Sequence, residues 1–287
     1  MINAHKIDLH LHSTVSDGTD TPQELLDRVR AAGIEVFSLT DHDAVKGCAQ
    51  IRLSLRPGDA AFVSGVEFSS RDDDGKYHIL GYGYDPKSPS IRRLVEKGHG
   101  LRMGKVVARL DFIRAAFGFS FPEEEVQGLM ALDNPGKPHI GNLMVKYGYA
   151  ADKEQAIDIY LNQAKIPSDS IRPEEAIEGI MQAGGIPVLA HPPFGNGSEL
   201  ILGEAMERRL RKLIGCGLLG MECFYSGFTP ELGSEMFALA EKYALYVTAG
   251  SDYHGKNKPV SLGNTHFDGG QAMPDGMRRF LEAVGLG

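Results

Sequence analysis

The spacing of apolar and polar positions changes several times along this 287-residue chain, and each change marks an element. Residues 7–12, Ile7-Asp8-Leu9-His10-Leu11-His12, alternate with the period of a strand whose second face is polar. Thr21-Pro22 opens a helix that runs through Ala32 and stops at Gly33. A strand over 35–40 and a helix over 44–56, ended by Pro57-Gly58, repeat the unit. Strands 61–67 and 77–84 flank the polar turn Arg71-Asp72-Asp73-Asp74-Gly75. After Pro86 only helical signals remain, over residues 90–165, broken at Gly118, Pro122, Pro135, Pro138 and Gly148. A helix from Pro173 to Ala183 ends at Gly184-Gly185. Alternation then returns, with strands 186–191, 218–224 and 245–250 between helices 203–214, 230–243 and 274–284.

Strands alternating with helices predict an α/β fold. Seven strands whose ends carry polar chemistry fit a closed ring better than an open sheet, because a ring lets the ends converge at its C-terminal face. The expected architecture is a distorted (β/α)7 barrel. Residues 1–88 and 172–287 would form the barrel, and 89–171 a helical insertion over its mouth.

The polar residues at those strand ends are unusual in kind. His10 and His12 share one strand face, and Asp17 follows them. His42, Glu67, His78, His191 and the pair Asp252/His254 end or adjoin other strands. One such histidine is commonly a hydrogen-bonded core residue. Nine imidazoles and carboxylates in this pattern are a set of metal ligands.

Asp8-x-His10-x-His12, Thr40-Asp41-His42, Glu67, His78, Ala190-His191-Pro192 and Ser251-Asp252-x-His254 together resemble the PHP (polymerase and histidinol phosphatase) domain family. Pro138-His139-Ile140, inside the insertion, resembles its stand-alone bacterial metal-dependent phosphoesterases. That subgroup includes nucleotide 3′-phosphatases, exoribonucleases of short RNA and phosphodiesterases of cyclic phosphates. The resemblance implies three divalent ions. His10, His12, Glu67 and Asp252 would hold the first; Glu67, His78 and His191 the second; Asp17, His42 and His254 the third. Imidazole and carboxylate ligands suit Mn²⁺, with Fe²⁺ and Zn²⁺ as alternatives. It further implies hydrolysis of a phosphoester by a metal-bridging hydroxide, with Glu67, Asp252 and His254 as catalytic residues. A 5′-to-3′ exoribonuclease and a metal-stabilised, non-catalytic domain are the alternatives.

Lys137 and His139 are the expected phosphate-binding pair. In related nucleotide phosphatases the position before Pro-His is typically Arg. Lys137 keeps the charge and loses the planar fork, a departure that counts against a nucleotide bisphosphate and is compatible with a smaller sugar phosphate or cyclic phosphate. The segment Lys165-Ile166-Pro167-Ser168-Asp169-Ser170 also departs from those relatives. Gly195-Asn196-Gly197 reads as a loop above the site. Asp8 is expected to orient an imidazole N–H, and Asp43 to cap the helix after it. Glu222 is read as either near the site or a core residue. Arg92, Arg93, Lys97, Arg102, Lys105 and Arg109 form a basic stretch, read as a solvated helix face or as guidance for an anion.

A formal charge of −8 argues against a general binder of long nucleic acid or membrane surfaces. It is compatible with a small anionic substrate, because bound cations reverse the local sign. Cys48, Cys216 and Cys223 are scattered, with no Cys-x-x-Cys spacing, and read as reduced thiols. No secretion signal is visible, and no apolar run approaches the ~18–20 residues that span a bilayer. A cytoplasmic location is the expectation.

Overall fold

The computed structural model describes residues 4–166, 169–195, 200–267, 270 and 272–286. Pro167, Ser168, Asn196 and Gly197, named in the two loops above, lie outside the described residues. Seven strands lie side by side in chain order. They are β1 (Ile7–Asp8), β2 (Val36–Leu39), β3 (Ala61–Asp72), β4 (Gly75–Tyr82), β5 (Ile186–Leu189), β6 (Gly220–Tyr225) and β7 (Tyr246–Gly250). The ring nearly closes where Leu9 N donates to Ala249 O and Asp252 N to His10 O, each at 2.8 Å. Leu11 bridges Tyr253 beyond that point.

The helices around the ring are α1 (Pro22–Ala32) and α2 (Lys46–Ser54); those of the insertion are α3 (Pro89–Phe117), α4 (Glu123–Met130), α5 (Lys137–Lys146) and α6 (Lys153–Gln155). The ring resumes with α7 (Pro173–Gln182), α8 (Gly203–Gly215), α9 (Pro230–Lys242) and α10 (Asp275–Ala283). Thr21 and Glu24 form the reciprocal capping box of α1, and Gly33 ends it in the left-handed conformation at φ 64°. Apolar faces of the outer helices pack on buried strand residues such as Val36, Ile79, Val188 and Val247. The insertion has a core of its own, built on Val106, Ile113, Ile140 and Met144, with Phe119 and Tyr149 stacked 4.4 Å apart beside it.

Two features of the ring differ from the sequence reading. The strand expected over 7–12 keeps a regular ladder only at Ile7–Asp8. Beyond it the chain bonds alternately to both neighbours, through Leu11 O to Thr40 N and through His12 N to Tyr253 O. The second difference is direction. All six neighbouring pairs would be parallel in a simple barrel, but β4 runs antiparallel to both β3 and β5. The cause is the two-residue connection Asp73-Asp74, which can join only antiparallel neighbours. His78 therefore lies midway along its strand, not at its C-terminal end, and still reaches Glu67 among the other expected ligands.

Asp43 and Asp8 also depart from expectation. The N-cap of α2 is Val45, without a side-chain cap. Asp43 instead receives Ser69 N at 3.2 Å and the Arg102 guanidinium at 2.8 Å, fastening α3 to the ring. Asp8 meets no imidazole ring. Its carboxylate receives Ser251 N (2.9 Å), Ser251 Oγ (2.6 Å) and Gly263 N (2.8 Å), tying the first strand to the segment after β7. Burial pushes the Asp8 carboxyl up to about 6, with these donors opposing it. Asp8→Ala would leave those buried donors unmatched, and relief from burying the charge offsets part of the loss. A net destabilisation of about 2 kcal/mol is expected, read as a lower urea midpoint with unchanged slope. An unchanged midpoint would remove Asp8 from the closure of the ring.

Candidate metal centre

All nine expected ligands converge at one end of the ring. Glu67, on β3, lies at their centre and is fully buried. Its Oε2 is 3.2 Å from His10 Nε2, 3.1 Å from His12 Nε2 and 3.1 Å from His42 Nδ1. Its Oε1 is 2.7 Å from His78 Nδ1 and 3.2 Å from His191 Nε2. Asp252 Oδ1 adds a second carboxylate, 3.6 Å from His10 Nε2 and 3.4 Å from His12 Nε2. Asp17 Oδ1 is 3.2 Å from His254 Nε2 and 4.0 Å from His42 Nε2. The three donor groups share members. His12 also stands within reach of the Asp17 group, and His42 also faces the Glu67–His78 pair.

The decisive feature is what these atoms do not do. His10 Nε2, His12 Nε2, Asp17 Oδ1, His42 Nδ1 and Glu67 Oε2 are buried without a hydrogen-bond partner. Lone pairs and ring nitrogens crowd together at about 3 Å without aligned hydrogens. A buried unpaired polar atom costs about 1–3 kcal/mol, and a fold that gathers five is built to receive something. Divalent cations fit, because every orphaned atom is an imidazole nitrogen or a carboxylate oxygen.

The local charges agree. Burial opposes ionisation of Glu67, yet His42, His78 and His10 hold its carboxyl well below the usual range. Asp252 is held low in the same way by His10 and His12, and Asp17 by His42 and His254. Burial works against protonating His12, but Asp252 and Glu67 outweigh it and raise the ring to about 9. His42 goes the other way, pushed well below its ordinary value by burial and by the neighbouring rings His12 and His78.

A second layer orients the first. Glu222 is fully buried in the middle of β6; its Oε1 is 3.0 Å from His10 Nδ1, and its Oε2 receives His191 N at 2.8 Å. A Cβ on Gly250 would stand 2.3 Å from Glu222 Oε1 and from His10, so only glycine leaves room for this pair. Ser16 Oγ donates to Asp41 at 2.7 Å and lies 3.4 Å from His12 Nδ1. Tyr225 donates to Asp252 Oδ2 at 2.8 Å, and Lys258 Nζ also contacts that oxygen.

Tyr225 and Lys258 carry no signal in the sequence that separates them from ordinary core and loop residues. Glu222 had one, as the single charge in an otherwise apolar strand. Lys137 and His139 lie at the start of α5, with Pro138 between them on the wall of the metal cavity, which is about 270 Å³. Lys137 Nζ donates to Asn162 Oδ1 at 2.7 Å, and His139 Nδ1 accepts from Gly136 N at 3.1 Å. The basic stretch divides. Arg92 and Arg93 are exposed and Lys97 pairs with Glu175, whereas Arg102, Lys105 and Arg109 turn inward beside Lys137.

Residues 8–165 match the family model described as PHP domain. A 5′-3′ exoribonuclease of Haemophilus influenzae is 29% identical over 261 residues, covering 90% of this chain and 93% of that protein. A phosphoribosyl 1,2-cyclic phosphate 1,2-diphosphodiesterase of Eggerthella lenta is 31% identical over 260 residues, 87% of this chain and 94% of the other. A 3′,5′-nucleoside bisphosphate phosphatase of Chromobacterium violaceum is 32% identical over 260 residues, 86% and 87% of the two chains. The solved structure of a protein from Bifidobacterium adolescentis, assigned as a metal-dependent phosphoesterase, is similar at a TM-score of 0.83. It is 28% identical, with 98% of this chain and 96% of that one covered.

An ion entering the cage must displace the proton that His12 holds up to about pH 9. Titration of metal-stripped protein with Mn²⁺ at pH 7, in two buffers of different ionisation heat, is expected to show proton release. Apparent affinity should rise as pH climbs from 7 toward 9. Binding without proton release, or independent of pH, would contradict this arrangement of charges.

Proposed function

The chain belongs to the PHP domain family, and we propose that it is a metal-dependent phosphoesterase that hydrolyses a small phosphorylated metabolite, a nucleotide or sugar phosphate. The observation that carries this reading is the cluster of orphaned nitrogen and oxygen atoms around Glu67. The named relatives, though they differ in substrate, are all hydrolases of phosphoester bonds. Three divalent ions, Mn²⁺ first among the candidates, suit the three overlapping donor groups. Bound there, such ions supply a water nucleophile at neutral pH and neutralise charge on the phosphoryl oxygens.

The chain's own residues set the geometry. Glu67 turns one oxygen toward His10, His12 and His42 and the other toward His78 and His191, which fixes the spacing between neighbouring donor groups. Asp252 turns Oδ1 inward, while Tyr225 and Lys258 hold Oδ2. His254 closes the far side against Asp17, its ring stacked 4.0 Å from that of His12. Lys258 stands at the cavity wall and brings a positive charge to the entry of a phosphoryl group. In the reaction a water oxygen bonds to phosphorus, the P–O bond to the organic group breaks, and that oxygen leaves with a proton. His139 follows Pro138 of the cavity wall in the insertion, burial lowers its pKa, and in this reading it positions the substrate.

Phosphate release from p-nitrophenyl phosphate and nucleotide substrates should depend on added Mn²⁺ and fall to the metal-free level in Glu67→Ala. Glu222→Gln, which touches no ion in this reading, should lose about 10–100-fold in metal affinity or turnover. Equal turnover by wild type and Glu67→Ala would reject the proposal.

A further inference from the structure

A cavity of about 230 Å³ adjoins the metal cavity, and the two share His78 and His191. No residue of the insertion lines it. Its walls are mostly apolar, with Phe194, Met206 and Tyr77 among them, and none of its lining residues is an acid.

The polar group in this cavity that lacks a match is Arg209, on α8. It is 5% exposed, and its guanidinium lies 4.0 Å from the centre of the Tyr77 ring. Nη2 donates to Lys76 O at 2.6 Å, whereas Nη1 is buried without a partner. Among the described residues no carboxylate stands at ion-pair distance from it. The Tyr77 hydroxyl is also buried without a partner, and burial raises its pKa to about 12, so it remains a donor. Buried donors left unmatched are unfavourable unless something brings an acceptor to them.

The apolar wall is anchored to the metal cage. Phe194 stacks on Phe228 at 5.9 Å and lies 5.8 Å from Tyr225, whose hydroxyl donates to Asp252. Pockets for drug-sized ligands run from about 300 to 1,000 Å³, so this one fits a fragment of about one ring. The shared histidines put such a ring beside the phosphoryl group rather than at a separate site. One unmatched guanidinium nitrogen suits one lone pair, and in an apolar lining a neutral carbonyl loses less hydration than a carboxylate.

We infer that this cavity holds the leaving group of the substrate, a small planar ring bearing a carbonyl or similar neutral acceptor that Arg209 engages. This rests on the phosphoesterase reading above. A water oxygen bonds to phosphorus, the P–O bond to the ring's oxygen breaks, and that oxygen takes up a proton. The alcohol so formed departs from between Phe194 and Met206.

Phosphate monoesters of simple primary alcohols test this on the Mn²⁺-loaded protein. They are ethyl phosphate, benzyl phosphate, and carbamoylbenzyl phosphate as its 3- and 4-isomers. In the wild type kcat/KM should rise about tenfold from ethyl to benzyl, and about tenfold again to the better carbamoyl isomer. Arg209→Met should bring the carbamoyl-to-benzyl ratio to about one while the benzyl-to-ethyl ratio persists, and Arg209→Lys should keep part of the first ratio. A wild type that gains nothing from the carbamoyl group in either isomer would overturn the inference and leave the phosphoesterase reading standing. So would an Arg209→Met protein that loses every ester by the same factor. If Arg209→Met does not fold, inhibition of the wild type by the product alcohols decides. Hydroxymethylbenzamide competing about tenfold more tightly than benzyl alcohol supports the inference, and equal inhibition overturns it. If no ester is turned over, the phosphoesterase reading fails, and ligand-observed NMR with the same two alcohols decides the pocket. Binding of hydroxymethylbenzamide that disappears in Arg209→Met supports it; no binding by wild type, or binding retained in the variant, overturns it.

Discussion

Unpaired donor atoms gathered around one buried carboxylate govern this structure. Glu67 is fully buried, and five of the nitrogen and oxygen atoms in and around it have no hydrogen-bond partner. Such an arrangement is unfavourable by itself and becomes favourable when cations occupy it. The ring of strands overcomes the repulsion and desolvation because its hydrophobic core and ladders fix the backbone at each donor. Stability made elsewhere holds the site in a state ready for its ions.

The fold uses several devices to keep the donors in place. Closure between the first strand and the segment after β7, reinforced by Asp8, sets His10 and His12 opposite Asp252. Glu222 reaches across from β6 to two more members, and glycine at 250 leaves space for it. The insertion is fastened at the same places. Arg102 holds Asp43 beside His42, Asn134 donates to His42 O, and Lys153 donates to Asn257 O in the loop that leads to Lys258. Movement of the insertion is thus coupled to the walls of the metal cavity rather than to remote surface.

Much of this was legible in the sequence, for a physical reason. Imidazoles and carboxylates on strand ends leave a period-two pattern broken by His and Asp, and that pattern marks the end of the ring where the nine expected ligands gather. The direction of β4 was less legible. The Asp-rich turn was seen, but a hairpin inside an otherwise parallel ring is a choice of tertiary packing. Asp43 and Asp8 were misassigned because a short acid near a helix start or beside a ligand has a common local use, and here long-range partners took precedence. Lys258 and Tyr225 gave no signal at all, since only the closed ring brings them to Asp252. The basic stretch on α3 could not be divided by sequence, because which of its cations face inward depends on where α5 packs.

Direct sight of the ions is the most telling check on the central claim. Crystals grown or soaked with Mn²⁺ and recorded at an energy where manganese scatters anomalously should show three peaks inside the cage, at about 2.0–2.3 Å from imidazole and carboxylate atoms. The strongest density is expected beside the two oxygens of Glu67. Protein that binds manganese only elsewhere, or leaves the cage without peaks at saturating metal, would contradict the account.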